Sequence, residues 1–416
     1  MTAPNTLGID FGTSNSAAGI AVAGRPFLID VEPGETTLPT ALFFGIDPKR
    51  MLIGRPASRA LIDGAEGRFV RALKSLLGTP LLYEKRRLGG ELVDFSLIIS
   101  RFLAELKSRA ETMCHQEFTH ALSGRPVLFH SADPARNAKA EEDLRQCYLG
   151  AGFQDVKFLP EPEAAALSQG EMVPDGALGL IVDIGGGTSD YTIFEKHAGD
   201  LQIRSSHGLR LGGTDFDRQL SMDHVMPLLG KAALIRNEFG PGTLPAPNAI
   251  FNDLATWQKI PFLYSRESLR LAKDLEKRAV DKAVLGRLVS VLEDETGHDI
   301  AFSVERGKIQ TNREDTGRIA LGMVQRGLGV ALTHEMLDES LNSFVDQIAA
   351  QAVETCTAAA LAPDQITDIV FVGGSSLLSA LQNRIRARFP AARLHQGNAM
   401  TAVVDGLALA SATAFA

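Results

Sequence analysis

Cysteine is almost absent: Cys114, Cys147 and Cys356 are the three in 416 residues, scattered and never in a Cys-x-x-Cys pair. That excludes a disulfide framework and a zinc knuckle, and it fits a reducing, cytoplasmic setting. Long apolar runs are missing too. The most apolar stretches, such as ALGLIV and DIVFVGG, fall far short of the roughly 20 residues a spanning helix needs, so no membrane role is expected. No basic run is long enough to form a phosphate-binding patch, and 50 Asp+Glu against 42 Lys+Arg leave a net charge of -8. General neutralisation of nucleic-acid phosphates is thereby excluded. The N-terminal MTAPNTLGIDFG has neither a basic n-region nor an apolar h-region, so export is not expected. Low-complexity tracts and blocks of like charge are also lacking. What remains, 45% apolar and 22% charged, is an ordinary folded composition, long enough for two or three domains or one large bilobal unit.

Short β-rich runs alternate with helical stretches, the pattern of α/β domains. Strands are expected at TLGIDF, SAAGIAVA, RPFLID, RPVLFH, DVKFLP, GLIVDI, DYTIFE, LQIRSS and DIVFVG. Apolar residues at three- and four-residue spacing predict a helix over 96–118, and more weakly over 135–149. Helices dominate from about 215 to 360. Within that region GPGTLPAPNAIFNDLATWQKIPF, with its prolines and the only tryptophan, reads as an irregular but ordered excursion.

One internal echo organises the chain. LGIDFGTSNSAAGIA near the start resembles GLIVDIGGGTSDYTIFE in the middle. Each is a strand ending in aspartate, a Gly/Thr/Ser turn, and a second strand. Asp10 and Asp183 lie close to half the chain apart, which suggests two lobes of related topology presenting the same loop. Consecutive glycines let several backbone N–H groups point into one anion-binding nest, and an aspartate at the strand end suits a hydrated magnesium ion. Either loop alone would also read as an ordinary tight hairpin; two matched copies argue against that.

GIDFGTSNS, then VDIGGGTSD, then FVGGSSLLSAL resemble the two phosphate motifs and the adenosine motif of the actin-like ATPase superfamily. FLPEPEAAALSQG resembles the connecting motif of the heat shock protein 70 (DnaK-like) nucleotide-binding domain, and LRLGGTDFDRQL its LGGxDFD turn. The LPAPNAIFND segment and the 300–345 region look more like the short YegD-type members. The resemblance implies a two-lobed α/β fold, actin-like and ribonuclease H-like, with a central nucleotide cleft. Lobe I would span 1–176, with a subdomain near 40–120. Lobe II would span 177–396, with a helical subdomain near 217–325, and residues 397–416 would form a C-terminal helix returning to lobe I.

Roles follow from the same resemblance. Asp10 and Asp183 would hold Mg2+ through water. Gly12, Thr13, Ser14 and Asn15 would meet the phosphates of ATP or ADP from one side, and Gly185, Gly186, Gly187 and Thr188 from the other, with Gly212 and Gly213 beside them. Glu161 matches the carboxylate that places the metal shell or the attacking water, Asp190 would orient a water or Thr188, and Lys74, in RFVRALKSLLG, the γ-phosphate lysine. Lys74 also reads as a solvated lysine on an amphipathic helix. Positioning and charge neutralisation suffice for phosphoryl transfer, without a covalent nucleophile.

On the adenosine side SVERGKIQTN puts Glu305, Lys308 and Asn312 near ribose and base, and Gly373, Gly374 and Ser375 supply the glycine turn. SVERGKIQTN reads equally as a charged helix face. Ile309 and Leu377 stand where the full-length chaperones have arginines against adenine. Losing both stacking contacts, roughly 0.5–2 kcal/mol each, predicts weaker nucleotide binding. His115 and His120 are five apart and the other histidines isolated, so structural or surface roles are expected for all of them. The sequence after GNAMTAVVDGLALASATAFA shows no β-sandwich or helical lid, so a peptide clamp is not expected. The resemblance implies a slow, Mg-dependent ATPase, monomeric, with client proteins or a cochaperone as partners, and the charge balance implies no nucleic acid. The alternatives are an exopolyphosphatase-type phosphohydrolase, whose second loop would end STE rather than TSD, and a non-hydrolysing nucleotide-gated scaffold. A sugar kinase is least favoured.

Overall fold

The computed structural model describes residues 5–130, 133–169, 173–197, 200–238, 240–396 and 400–416. Gly170, closing the PEPEAAALSQG motif, and residues 397–399, opening the expected C-terminal helix, lie outside them. The chain forms two compact units. One runs through Gly213 and resumes at Val345; the other is Thr214–Phe344.

The first unit contains the same five-strand arrangement twice, and in the first copy a sixth short strand, Thr37–Pro39, also pairs with Asn15–Val22. Strands β1 (Thr6–Phe11), β2 (Asn15–Val22) and β3 (Arg25–Leu28) form an antiparallel meander. On the other side of β1, strands β4 (His120–Arg125) and β5 (Asp155–Pro160) add in parallel, giving the order β5-β4-β1-β2-β3. The second sheet repeats this with β6 (Leu178–Ile184), β7 (Ser189–His197), β8 (Asp200–Leu209), β9 (Asp368–Val372) and β10 (Arg393–Gln396), in the order β10-β9-β6-β7-β8. The repeated loop seen in the sequence is therefore one piece of a repeated topology.

Helix α1 (Phe95–Cys114) leads into β4 and is capped by Asp94, whose carboxylate accepts the Leu97 N–H at 3.0 Å. Its buried face is Ile98, Ile99, Phe102, Leu103 and Leu106, the three- and four-residue spacing of the sequence. Helix α2 (Pro134–Gly150) leads into β5, with Asp133 capping the Arg136 N–H at 3.0 Å. Helix α3 (Glu161–Gln169) starts where β5 ends. Its Ala164, Ala165 and Ala166 pack with Leu122, Ile181, Val370, Val403 and Leu407, so one core joins both sheets to helix α7 (Ala402–Ser411). Small residues permit this approach: a Cβ on Gly406 would lie 1.7 Å from the Ala164 carbonyl oxygen.

The expected strand RPVLFH is displaced. The ladder between β4 and β5 runs from His120 opposite Asp155 to Arg125 opposite Pro160 and stops there. Pro126 has no N–H for a further rung, and residues 126–130 leave the sheet as a loop. The alternative reading of Lys74, as a lysine on an amphipathic helix, is not what the structure shows. The residue lies on a short 3₁₀ turn, Leu73–Leu76, directly after the strand Gly67–Arg71.

The second unit holds helices α4 (Gly213–Leu220), α5 (Gly297–Glu314) and the start of α6 (His334–Ala358), with two short hairpins, Leu234–Arg236 with Thr243–Pro245 and Thr316–Ala320 with Gly329–Thr333. The proline-rich excursion is ordered, as its large apolar side chains imply. Trp257 is buried at 2% exposure with the Phe302 ring edge-on at 5.0 Å. No helix among the described residues is long and apolar enough to cross a membrane.

Candidate functional site

β1 carries Asp10 and β6 carries Asp183 to corresponding ends of the two sheets, and each strand then enters its Gly/Thr/Ser turn. The second turn is closed by the Gly185 N–H on the Thr188 carbonyl at 3.0 Å. The turns face each other. A Cβ on Gly186 would sit 2.5 Å from Ser14 Oγ, and one on Gly187 would sit 3.2 Å from Thr13 Oγ1. Asn15 opens β2, opposite Pro39. Gly212 lies on the second turn, where an added Cβ would come within 2.7 Å of the Gly187 nitrogen, and the Gly213 N–H donates to the Gly185 carbonyl at 3.0 Å. The Gly373–Ser375 turn closes the arrangement. Gly373 has φ +79° and would place a Cβ 2.7 Å from Asp183 Oδ1, while a Cβ on Gly213 would meet Ser375 Oγ at 2.4 Å. Gly374 lies on the exposed side of that turn.

Charge is concentrated at this junction. The Lys74 ammonium donates to Glu161, with the side chains only 7% and 12% exposed. Burial alone would lower the Lys74 pKa, but attraction from Glu161, Asp10 and Asp190 and the Glu161 hydrogen bond raise it. The aspartates move the other way. Asp10 is pushed up to about 7, by burial first and then by Glu161, with Lys74 opposing. Asp190 is also pushed up to about 7, by burial and Glu161, although the Thr188 hydroxyl and the Val127 N–H favour its charged form. Burial, Glu161, Asp190 and Asp10 hold Asp183 well above the usual carboxylate range. Asp183 and Asp190 are direct cross-strand partners in the hairpin, an unfavourable like-charge pairing. One lysine thus faces four carboxylates, an excess of negative charge suited to a cation. Among the described residues no three His, Cys, Asp or Glu side chains converge closely enough to chelate a metal directly. A magnesium ion, which keeps several of its waters, needs no such cluster, and the donor set fits it.

The surroundings lock the site. The loop that replaces the expected strand places the Val127 N–H 2.7 Å from Asp190 Oδ1, and Asn137 Oδ1 on α2 accepts from Phe129 N–H at 2.7 Å. On the same helix Asp143 accepts the Gly78 N–H at 2.9 Å and so ties down the chain just after Lys74. Ala72, the residue before that 3₁₀ turn, sits at φ +59°, a strained position for a residue with a Cβ. A cavity beside the second turn is lined by Thr13, Lys74, Ser75, Pro126, Phe129, Gly187, Thr188 and Arg210.

Glu305, Lys308 and Asn312 belong to the second unit, on α5. Lys308 donates to Asp217 at 2.6 Å, with exposures of 13% and 6%, and Asp217 Oδ2 lies 3.4 Å from Trp257 Nε1. Ile309 and Leu377 are exposed.

Sequence reasoning missed Ser75, Val127, Arg210 and Asp217. Asp217 and Arg210 lie inside the quoted LRLGGTDFD, but the glycines alone drew a role there. Nothing in the local sequence singles out Ser75 or Val127, whose contributions come from backbone and from long-range packing.

An internally repeated α/β unit with an aspartate and a glycine turn at the end of the first strand of each sheet is the fold of the actin-like ATPase superfamily. The family model described as Hsp70 protein matches residues 82–236. The chaperone protein DnaK of Methanothermobacter thermautotrophicus is 33% identical over 220 residues, which is 51% of this chain and 35% of that protein. The chaperone protein DnaK of Nitrosopumilus maritimus is 25% identical over 401 residues, 92% of this chain and 60% of that protein. The chain spans less than two thirds of the length of either relative. These comparisons make the chain similar to the heat shock protein 70 (DnaK-like) family.

Proposed function

We propose that the chain binds ATP and ADP with Mg2+ and hydrolyses ATP slowly. The observation that carries this reading is the convergence of two facing glycine turns, Lys74 and the carboxylates of Asp10, Glu161, Asp183 and Asp190 on one point. Backbone N–H groups of the turns, with Thr13, Ser14 and Thr188, would hold the phosphates. Lys74 would turn from Glu161 toward the transferred group and offset its charge. Glu161, released from Lys74, and Asp183 would orient the attacking water, and Asp190 would fix the Thr188 hydroxyl. Asp10 and Asp183 would hold Mg2+ through water, and the bound ion would neutralise phosphate charge.

Hydrolysis would time opening and closing of the two sheet-bearing lobes. Such a cycle suits a chaperone-related role in the cytoplasm, with client proteins or a cochaperone as partners, as the names of the relatives suggest. The test is calorimetric titration with Mg-ATP and Mg-ADP against Asp10→Ala. Micromolar binding that the substitution abolishes supports the reading. No binding at millimolar nucleotide overturns it and makes polyphosphate the next ligand to titrate.

A further inference from the structure

We propose that Asp143, buried on α2, is a positioning residue for Lys74: its one carboxylate braces the two short turns around the lysine's segment. The inference rests on the nucleotide reading for what Lys74 does, and adds the residue that holds it there.

Lys74 is carried by neither an α-helix nor a strand. It sits on the 3₁₀ turn Leu73–Leu76, entered through Ala72 at φ +59°, and a second 3₁₀ turn, Pro80–Tyr83, follows. Short 3₁₀ turns have few internal bonds of poor geometry, so they rely on outside support. A left-handed alanine likewise persists only where its surroundings hold it. The support comes from α2. Asp143 Oδ2 accepts the Gly78 N–H at 2.9 Å, between the two turns, and Oδ1 accepts the Tyr83 hydroxyl at 2.5 Å, at the end of the second. The chain lies flush against the helix at that point. A Cβ on Gly78 would sit 2.6 Å from the Arg136 carbonyl oxygen, and Arg136 Nε donates to the Gly78 carbonyl at 3.2 Å.

The choice of a carboxylate has a reason. Asp143 is only 2% exposed, and burying its charge is costly unless that charge is used. A carboxylate accepts both bonds at once, and charge-assisted bonds are about twice as strong as neutral ones. Lys139, one turn back on α2, supplies the countercharge from the solvent side at 2.9 Å and lies 4.9 Å over the Tyr83 ring. Burial and the bond to Asp143 raise the Tyr83 pKa against the pull of Lys139, so the phenol keeps its proton and remains the donor. When Lys74 turns from Glu161 toward the transferred group, its head moves and its backbone does not. The brace therefore sets where the ammonium can reach.

The experiment compares wild type with Asp143→Ala, Asp143→Asn and Tyr83→Phe. Steady-state ATP hydrolysis and Mg-ADP affinity are measured, and acetylation of Lys74 by acetic anhydride is followed by mass spectrometry without nucleotide. Asp143→Ala should lower kcat on the order of 10- to 100-fold, as a misplaced catalytic group does. KM and ADP affinity should change less than about threefold, because the loss falls on the transition state. Lys74 should acetylate faster. Asp143→Asn still offers an oxygen to the Gly78 N–H and an amide to the phenol oxygen, so it should recover most of the rate and the shielding. Tyr83→Phe removes one of the two bonds at a half-exposed residue and should cost about three- to tenfold in kcat. It carries the test alone if Asp143→Ala shows no cooperative melting transition. Unchanged kcat, equal losses in kcat and ADP affinity, or Lys74 no more reactive than in wild type would overturn the proposal. Lys74 unmasked by Asp143→Ala and shielded again by Asp143→Asn, in a protein that ignores Mg nucleotides, would sink the nucleotide reading and leave the brace standing.

Discussion

Lys74 and Glu161 form an ion pair that is almost completely withdrawn from solvent, at 7% and 12% exposure, although they lie 87 positions apart in the chain. Removing one member of a buried pair strands the other, at about 3–5 kcal/mol. Lys74→Met is therefore expected to lower stability by that order and to abolish ATP hydrolysis. The double variant Lys74→Met, Glu161→Gln should regain much of the stability and none of the activity. Thermal unfolding of the four-member cycle checks this, and additive losses would contradict it.

The raised aspartates predict an unusual pH response. Asp10 and Asp190 titrate near about 7 in the folded protein against an ordinary 3.8. Between these values the folded state binds more protons than the unfolded chain, so this contribution to stability is complete below about 4 and is lost as pH rises through about 7. In metal-free buffer Asp190→Asn should flatten the fall in melting temperature between pH 5 and pH 8 (about the span of this titration). Identical slopes for variant and wild type would refute the assignment.

Gly373 and Gly176 share a φ of +79° but differ in surroundings. A Cβ on Gly176 meets nothing within 4 Å, whereas one on Gly373 would lie 2.3 Å from the Ile184 carbonyl oxygen and 2.7 Å from Asp183 Oδ1. Gly176→Ala should cost only the backbone term of about 1–2 kcal/mol. Gly373→Ala should cost more, and it should also weaken nucleotide binding by moving Asp183. Chemical denaturation and titration of both variants separate the two effects; equal losses would mean that the clash is relieved without consequence.

Asp217 joins Lys308 and Trp257 inside the second unit. Asp217→Asn removes the carboxylate charge that Lys308 meets at 2.6 Å, and hydrogen exchange should rise across Thr214–Phe344 with or without nucleotide. Protection confined to the nucleotide-bound state would show instead that Lys308 serves the ligand.

Much of this was legible in the chain. Short β-rich apolar runs and a turn repeated at half-length pointed to two related sheets, because such residues favour strands and Gly/Thr/Ser turns have a local backbone requirement. Those same short-range features placed Asp10, Asp183 and both glycine turns, and helix periodicity placed α1 and α2. The tertiary structure decided what depends on distant partners. Pro126 ended β4 early because the ladder with β5 had no further donor, and the freed loop reached Asp190. Lys74 lies on a short turn tied to α2, not on the amphipathic helix of its alternative reading, and burial beside Glu161 makes it an ion-paired lysine instead of a solvated one. Arg210 and His130 met across 80 positions of chain, and their bond is set by burial and long-range packing, which no local pattern of residues encodes.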